Sequence, residues 1–164
     1  MKWQAAAVIL GILTSTVSLA RAAECAADKA LFKGNGRSVA VSVEIADDQE
    51  ERARGLMFRR DLQPDTGMLF IYETPQRVAF WMRNTPIPLD MIFIDARGRV
   101  RHVHPMARPL DETSIPGATP GDPSPERLMV LEVPGGDAAR LGITPGMVLA
   151  HPRLPQSMAE RPCG

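Results

Sequence analysis

Residues 80–95 read FWMRNTPIPLDMIFID, two apolar runs separated by a polar turn. Short apolar runs that end at Asn, Pro or Asp are typical of buried β-strands. The turn holds a guanidinium, an amide and two prolines, and the prolines restrict the backbone on either side of them. We therefore predict a rigid strand, turn and strand, with polar groups concentrated between apolar walls.

Further strand-like runs lie on both sides of this stretch. Residues 39–45 alternate apolar and polar side chains, which is the period of a strand with one buried face. The turn at Asp95–Gly98 suits a hairpin, so residues 99–104 are expected to return antiparallel to residues 89–94. Other runs lie at residues 67–72, 77–82, 127–133 and 147–150. This spacing predicts a mainly β fold, a single small β-sandwich or partly closed barrel.

Only short helical segments are predicted. Residues 47–55 are expected to form a short helix, with Asp47 as its N-cap and Glu50 completing a capping box. Residues 137–141 are expected to form one helical turn that ends at Gly142.

Residues 1–22 have the features of a secretory signal peptide. Lys2 precedes an apolar run at residues 5–13, and alanines at positions 20 and 22 supply the small residues of a cleavage site. The run is shorter than the roughly 20 residues of a bilayer span, which disfavours a retained membrane anchor. We expect export with cleavage, a periplasmic or secreted location, and no stable membrane span afterwards.

The exported chain would carry a small negative charge. Removing residues 1–22 takes away Lys2 and Arg21 and leaves 17 basic residues against 19 acidic ones, a balance that does not suggest a nucleic acid partner. About 140 residues suffice for one domain. The predicted organisation is an N-terminal tail at 23–38, a single β domain at 39–151 and a C-terminal tail at 152–164.

The cysteines and one long loop complete this organisation. Cys25 and Cys163 lie near the two ends of the exported sequence, where a disulfide is the natural expectation in an oxidising compartment. Free thiols or a redox pair are the alternatives. Residues 105–126 carry six prolines and two glycines, which excludes long regular structure and is typical of a functional or mobile loop.

Several motifs follow one another along the chain: RGLMFR at 54–59, GMLF at 67–70, the stretch at 80–95, VLEVPGG at 130–136 and the pattern Gly142-Ile143-x-x-Gly146. Together they resemble the domain of unknown function 192 family. The resemblance runs from about Val39 to Ala150, and it implies a small, mainly β, jelly-roll-like domain that is often exported and has no established activity. Met147 departs from the acidic residue that the pattern leads us to expect.

The turn within residues 80–95 carries the first candidate site residues. Trp81 shares one strand face with Ala79 and is either a core residue or a platform for a ligand. Asn84 can bond its own backbone, and Arg83 can pair with a surface carboxylate. Alternatively, Arg83 and Asn84 together bind an anionic or hydroxyl-bearing ligand, because a guanidinium and an amide offer suitable donors and acceptors.

Asp90 and Glu132 interrupt apolar runs, and a buried carboxylate needs a partner. One interpretation is structural ion pairing with Arg54 or Arg83. The other is acid-base catalysis by two carboxylates that face a cleft.

His102 and His104 have the spacing that places two imidazoles on one strand face, as a metal site requires. A third ligand would have to come from His151, Glu132 or Asp111, so we interpret these imidazoles as surface groups rather than metal ligands. No cofactor is predicted.

Three hypotheses of function follow. The first is a non-enzymatic binding or envelope accessory module for an unknown small polar ligand, and its site residues are Arg54, Trp81, Arg83, Asn84 and Asp90. The second is a hydrolase or lyase that acts on an envelope saccharide-like substrate through Asp90 and Glu132. The third is a protein–protein interaction module that docks an envelope protein through a sheet edge or the 105–126 loop.

Overall fold

The computed structural model describes residues 25–163. This part of the chain contains nine strands and two short helices, joined by loops. The strands are β1 (Lys29–Gly34), β2 (Arg37–Ala46), β3 (Thr66–Gln76), β4 (Ala79–Phe80), β5 (Leu89–Ile94), β6 (Val100–Ala107), β7 (Ile115–Pro116), β8 (Arg127–Pro134) and β9 (Val148–Ala150). The helices are α1 (Gln49–Arg54) and α2 (Asp137–Leu141). The mainly β class is therefore confirmed.

Seven of the strands form one curled sheet in the order β6-β5-β8-β3-β2-β1-β9. Its neighbouring strands are antiparallel except for β2 and β3, which are parallel. The two edges meet at one end, where the N–H of Val100 donates to the carbonyl of Met147 at 2.8 Å and the N–H of Leu149 donates to that of Gly98 at 2.7 Å. The predicted partly closed barrel is confirmed.

The stretch at residues 80–95 begins in β4 and ends just beyond β5. The predicted hairpin follows it, with Ile92 of β5 opposite Val103 of β6. The Asp95 carboxylate accepts the N–H groups of Arg97 and Arg99, and Gly98 takes the positive φ of 84° that this turn requires.

The sheet separates two apolar clusters. Ile92 belongs to the cluster inside the curl and the next residue, Phe93, to the cluster on the opposite face, so β5 is buried on both sides. Leu56 after α1, Phe80 of β4 and Ile115 of β7 pack into this second cluster. The helix and the small β4-β7 sheet therefore cover the outer face, and the candidate site lies in this layer.

The predicted strand at 77–82 is wrong in extent, because β4 has only two residues and pairs with β7 instead of the large sheet. The chain leaves the strand direction where the N–H of Met82 donates to the carbonyl of Asp111 at 2.8 Å and the N–H of Thr85 donates to that of Met82 at 3.1 Å.

The N-cap of α1 lies one residue later than predicted. Asp48, not Asp47, accepts the N–H of Glu51, at 2.7 Å. The Glu51 carboxylate in turn accepts the N–H of Asp47 at 3.1 Å. One bond of a capping box is therefore present, with Glu51 in the place that Glu50 was expected to have, but the Glu51 carboxylate accepts the N–H of the residue before the N-cap instead of that of the N-cap itself.

The predicted tails are wrong, because both segments belong to the domain. The segment at 23–38 contains β1 and the start of β2, and Leu154 of the segment at 152–164 is buried in the cluster inside the curl. A disulfide joins Cys25 to Cys163, as predicted. The predicted signal peptide lies outside the described residues. Within residues 25–163, no helix is long and apolar enough to cross a membrane.

The proline-rich loop is fastened to the sheet. The guanidinium of Arg127 is fully buried and donates to the carbonyls of Gly117 at 2.8 Å, Ser124 at 2.6 Å and Glu126 at 2.8 Å. It also forms an ion pair with Asp122. This anchorage does not support the mobile alternative that the composition allowed.

Candidate functional site

A cleft of about 200 Å³ lies between α1 and the segment that follows β4. Its lining residues are Arg52, Ala53, Arg54, Gly55, Leu56, Met57, Phe70, Tyr72, Ala79, Phe80, Trp81, Arg83, Thr85 and Glu132. Glu132 of β8 lies opposite Met68 of β3, so its side chain shares a sheet face with Phe70 and Tyr72, which follow Met68 at alternate positions.

Glu132 is 4% exposed. Burial raises the pKa of its carboxyl from 4.5 to about 8. Among residues 25–163, no Lys, Arg or His nitrogen lies within 4.0 Å of its carboxylate to oppose this effect. The carboxyl is therefore mainly protonated at neutral pH, and it can donate a hydrogen bond into the cleft.

Tyr72 lies near Glu132 on the same face. Burial is the main cause that raises the pKa of its hydroxyl; the Arg52 charge opposes the rise and the Glu132 charge adds to it. The Arg52 guanidinium stands 5.1 Å from the Tyr72 ring centre, donates to the carbonyls of Asp47 and Ile71, and pairs with Glu73. Arg52 is thus occupied as a structural residue.

Arg54 and Arg83 differ from Arg52. Both are exposed, and within residues 25–163 neither has a carboxylate oxygen within 4.0 Å. The Arg83 guanidinium lies 5.5 Å from the Trp81 ring centre, a cation–π arrangement that leaves its N–H donors available. The expected pairing of Arg83 with a surface acid is therefore wrong for the described residues.

Trp81 is 46% exposed, so its interpretation as a core residue is wrong. The predicted alternation of faces is correct, because Met82 is buried while Ala79 and Trp81 are exposed. Phe80 also lines the cleft and packs edge-on to Phe70, with ring centres 5.1 Å apart. Trp81 therefore lines the cleft, where its indole ring is placed to contact a ligand.

Asp90 is not part of the cleft. Its fully buried carboxylate accepts the backbone N–H groups of Met106 at 2.8 Å, Gly136 at 3.0 Å and Ala138 at 2.8 Å. The predicted ion pair with Arg54 or Arg83 is wrong because these N–H groups already satisfy the charge.

The strand register also separates the two carboxylates. Asp90 lies opposite Val133 while Met91 lies opposite Glu132, and residues that are opposite each other share a face. Asp90 and Glu132 thus project from opposite faces of the sheet. The predicted acid-base pair is wrong, and the hydrolase or lyase hypothesis loses its second carboxylate.

Asn84 lies beside the cleft, not in it. Its backbone is left-handed, with φ 54°, and its side-chain Nδ2 is 4.0 Å from the Met57 Sδ rather than bonded to its own backbone. It lines a separate groove of about 490 Å³ together with Phe58, Arg60, Pro86 and Leu110.

His102 and His104 are half-buried, not exposed as expected. His102 stacks on Phe93 with ring centres 5.7 Å apart, and burial is the main cause that lowers its pKa. Within residues 25–163, no group of three or more His, Cys, Asp or Glu side chains is arranged to hold a metal ion.

Tyr72 was missed by the sequence interpretation. The available signal was its position two residues after Phe70 in a strand, which places both side chains on one face.

The arrangement has a definite chemical character. Three guanidinium groups line the cleft, of which those of Arg54 and Arg83 have no carboxylate within 4.0 Å among residues 25–163; an aromatic wall flanks the cleft, and a buried, mainly neutral carboxyl faces it. Such a site favours a ligand with a negative group and a separate hydrogen-bond acceptor.

Solved structures and curated proteins provide the comparison. The chain is similar to a protein of unknown function from Novosphingobium aromaticivorans DSM 12444, with 41% identity, a TM-score of 0.67, and coverage of 74% of this chain and 82% of that chain. It is also similar to a protein from Sinorhizobium meliloti 1021 described as a "putative transcription regulator", with 37% identity, a TM-score of 0.68, and coverage of 77% and 94%. A comparison with curated proteins finds no match.

The family comparison matches residues 30–151 to the DUF192 model, whose description is "Uncharacterized ACR". The matched segment includes most of β1, in agreement with the place of that strand inside the domain. The chain therefore belongs to the domain of unknown function 192 family.

Proposed function

We propose that this protein binds a small anionic ligand in the cleft. Arg54 and Arg83 pair with the negative group, and the Glu132 carboxyl donates a hydrogen bond to an acceptor elsewhere on the ligand. The observation that carries the proposal is the pair of guanidinium groups with no carboxylate within 4.0 Å among residues 25–163, beside a buried carboxyl that is mainly neutral.

The size of the cleft limits the ligand. A volume of about 200 Å³ corresponds to about seven water molecules at roughly 30 Å³ each. A ligand of amino-acid or monosaccharide size fits this space. Trp81 and Phe80 offer flat apolar surface to its less polar part.

We further propose that binding takes place outside the cytoplasm. The predicted signal peptide supports this location, and a disulfide between Cys25 and Cys163 is the kind of bond that persists in an oxidising compartment. The balance of 19 acidic and 19 basic residues does not favour binding of DNA, because DNA-binding surfaces are strongly basic.

Tryptophan fluorescence provides a direct test. The chain has two tryptophans, Trp3 and Trp81, and Trp3 lies in the predicted signal peptide. Trp3→Phe therefore leaves Trp81, which lines the cleft, as the single reporter whether or not the signal peptide is removed. Titration with N-acetylglycine, succinate and inorganic phosphate is expected to give a saturable change for at least one anion. N-acetylglycinamide, the neutral counterpart of N-acetylglycine, serves as the ligand control.

Arg54→Gln and Arg83→Gln are each expected to raise the Kd about tenfold, because each removes one charged hydrogen-bonding partner. Arg97→Gln is the matched control, since Arg97 is an exposed arginine whose partner is Glu160 and which does not line the cleft. No saturable change with any of the three anions, or equal affinities in both cleft variants and the control, would contradict the proposal.

A further inference from the structure

The groove that contains Asn84 adjoins the cleft, although no residue lines both. Met57 lines the cleft, and its Sδ lies 4.0 Å from Asn84 Nδ2. The N–H of Phe58, the next residue, donates to the carbonyl of Asn84 at 2.7 Å. A ligand that leaves the cleft across Met57 and Asn84 therefore enters the groove directly.

The groove presents apolar side chains to solvent. Phe58 is 70% exposed and Leu110 is 62% exposed, and Pro86 lies with them. Phe58 and Leu110 have left-handed backbones, with φ 66° and 62°, which are costly for bulky side chains. Gly or Asn would fit these positions without that cost. The strained, exposed apolar residues indicate that the groove is shaped for contact.

We infer that one extended peptide segment occupies both the cleft and the groove. Its carboxylate lies in the cleft with Arg54 and Arg83, and an apolar side chain lies in the groove between Phe58 and Leu110. This inference rests on the proposed function, because it assigns the anion of the cleft to the end or a side chain of a peptide.

The residue at the junction favours a peptide over an acyl chain. The Asn84 side chain has two N–H donors and an oxygen acceptor, and within residues 25–163 its one hydrogen-bond contact is the weak acceptor sulfur of Met57. A peptide backbone carries both donors and acceptors and can pair with this amide. An acyl chain would cover the amide without satisfying it, which costs binding energy.

Short peptides test the inference. The protein is the full chain with Trp3→Phe, and the probes are acetylated tetrapeptides with a free C-terminal carboxylate. One set carries leucine one, two or three residues before the last, the matched set carries serine there, and N-acetylglycine is the short reference. We expect at least one leucine peptide to bind about tenfold more tightly than its serine counterpart, because leucine buries apolar surface in the groove.

Three groove variants test which residues account for the binding of the peptides. Phe58→Asn and Leu110→Asn remove the apolar walls and still tolerate the left-handed backbone, and Asn84→Gly removes the amide in the same way. Phe58→Asn and Leu110→Asn are each expected to lose most of the tenfold advantage of the leucine peptide, whereas Asn84→Gly is expected to weaken the leucine and serine peptides alike, because it removes a partner of the backbone that they share. N-acetylglycine is expected to bind all three variants as before. Met158→Asn is the control, an exposed apolar residue that is not part of the groove.

The outcomes separate this inference from the proposed function. If N-acetylglycine binds but leucine adds nothing in any position, the peptide inference falls and the anion site stands. If decanoate binds more tightly than every peptide and is unaffected by Asn84→Gly, the occupant is an acyl chain and the inference is overturned. If no carboxylate probe binds, the peptide inference is overturned, and the proposed function is overturned with it when inorganic phosphate does not bind either.

Discussion

Glu132 is the residue at which burial and ionisation oppose each other. Its pKa is about 8 in the folded protein against an ordinary value of 4.5. Between about pH 4.5 and pH 8 the folded protein keeps a proton that the unfolded chain releases. The free energy of unfolding therefore falls as the pH rises through this interval, and Glu132 has no such effect at lower pH.

Glu132→Gln is expected to remove this pH dependence, because an amide of similar shape does not titrate. The wild type should lose stability relative to the variant as the pH rises, with a slope of at most about 1.4 kcal/mol per pH unit. Urea unfolding of both proteins at several values between about pH 5 and pH 8 measures the difference. Parallel stability profiles would show that the carboxyl is not desolvated in the folded protein.

Asp90 shows what strand patterns leave open at the scale of single residues. An acidic residue inside an apolar run predicts a buried carboxyl group, and that part of the interpretation was correct for both Asp90 and Glu132. The apolar run does not predict whether a guanidinium or a set of backbone N–H groups binds the carboxyl group. Nor does it state the register between β5 and β8, which places Asp90 and Glu132 on opposite faces.

Trp81 and Arg83 were identified for a different reason. Both belong to one short segment, so their proximity needs no knowledge of distant contacts. Arg54 reaches the same cleft only because α1 packs over the outer face of the sheet.

At the scale of elements, the 105–126 loop depends on the first residue of β8. The Arg127 guanidinium binds three loop carbonyls and Asp122 while it is fully buried. Hydrogen bonds from the N–H of Ser124 and the Arg127 side chain are the leading causes that lower the pKa of Asp122 to about 2. A segment rich in proline thus has a fixed conformation without long strands of its own.

Arg127→Met is expected to release this loop. The variant leaves the carbonyls of Gly117, Ser124 and Glu126 without their donor, and the unpaired carbonyl of the buried Gly117 alone costs about 1–3 kcal/mol. Limited proteolysis should cleave within residues 117–126 faster than in the wild type, and urea unfolding should show the lower stability.

Arg101→Gln is the matched control for the loop, since Arg101 also pairs with Asp122 but is partly exposed. We expect it to change stability by less than about 1 kcal/mol. Equal proteolysis of the Arg127→Met variant and the wild type would contradict the role of Arg127 as the anchor of the loop.

A strand could be predicted from the sequence where its residues alternate between buried and exposed positions, and could not where they are buried in succession. β2 alternates buried and exposed positions over much of its length, and the sequence predicted it. In β1, by contrast, Ala30, Leu31 and Phe32 are buried in succession between β2 and β9, so no period of two exists. A run of three apolar residues is too short to predict a strand, and β1 was therefore assigned to a tail.

At the scale of the whole molecule, the curled sheet separates the part that stabilises the fold from the part that forms the site. The cluster inside the curl includes Phe32, Leu131 and Leu154, while the cleft lies on the outer face under α1 and β4. The ends of the described chain meet at the Cys25–Cys163 disulfide, and no residue of the segments at 25–28 or 152–163 lines the cleft. A change at the termini should therefore affect stability without affecting the ligand.

The combined change Cys25→Ala and Cys163→Ala tests this separation. The disulfide closes a loop across a sequence separation of 138 residues, and the chain-entropy model gives a stabilisation of up to about 5 kcal/mol for a loop of this length. We expect urea unfolding to show a loss of this order, because the cross-link no longer restricts the unfolded chain. The Kd for N-acetylglycine, measured through Trp81 in a Trp3→Phe background and at low urea, should stay within about twofold of the wild-type value, since the arginines and Glu132 are held by the sheet and α1. Unchanged stability would show that the buried contacts of Leu154 hold the C-terminal segment without the disulfide. A large loss of affinity in a folded variant would show that the termini and the cleft are coupled through the sheet.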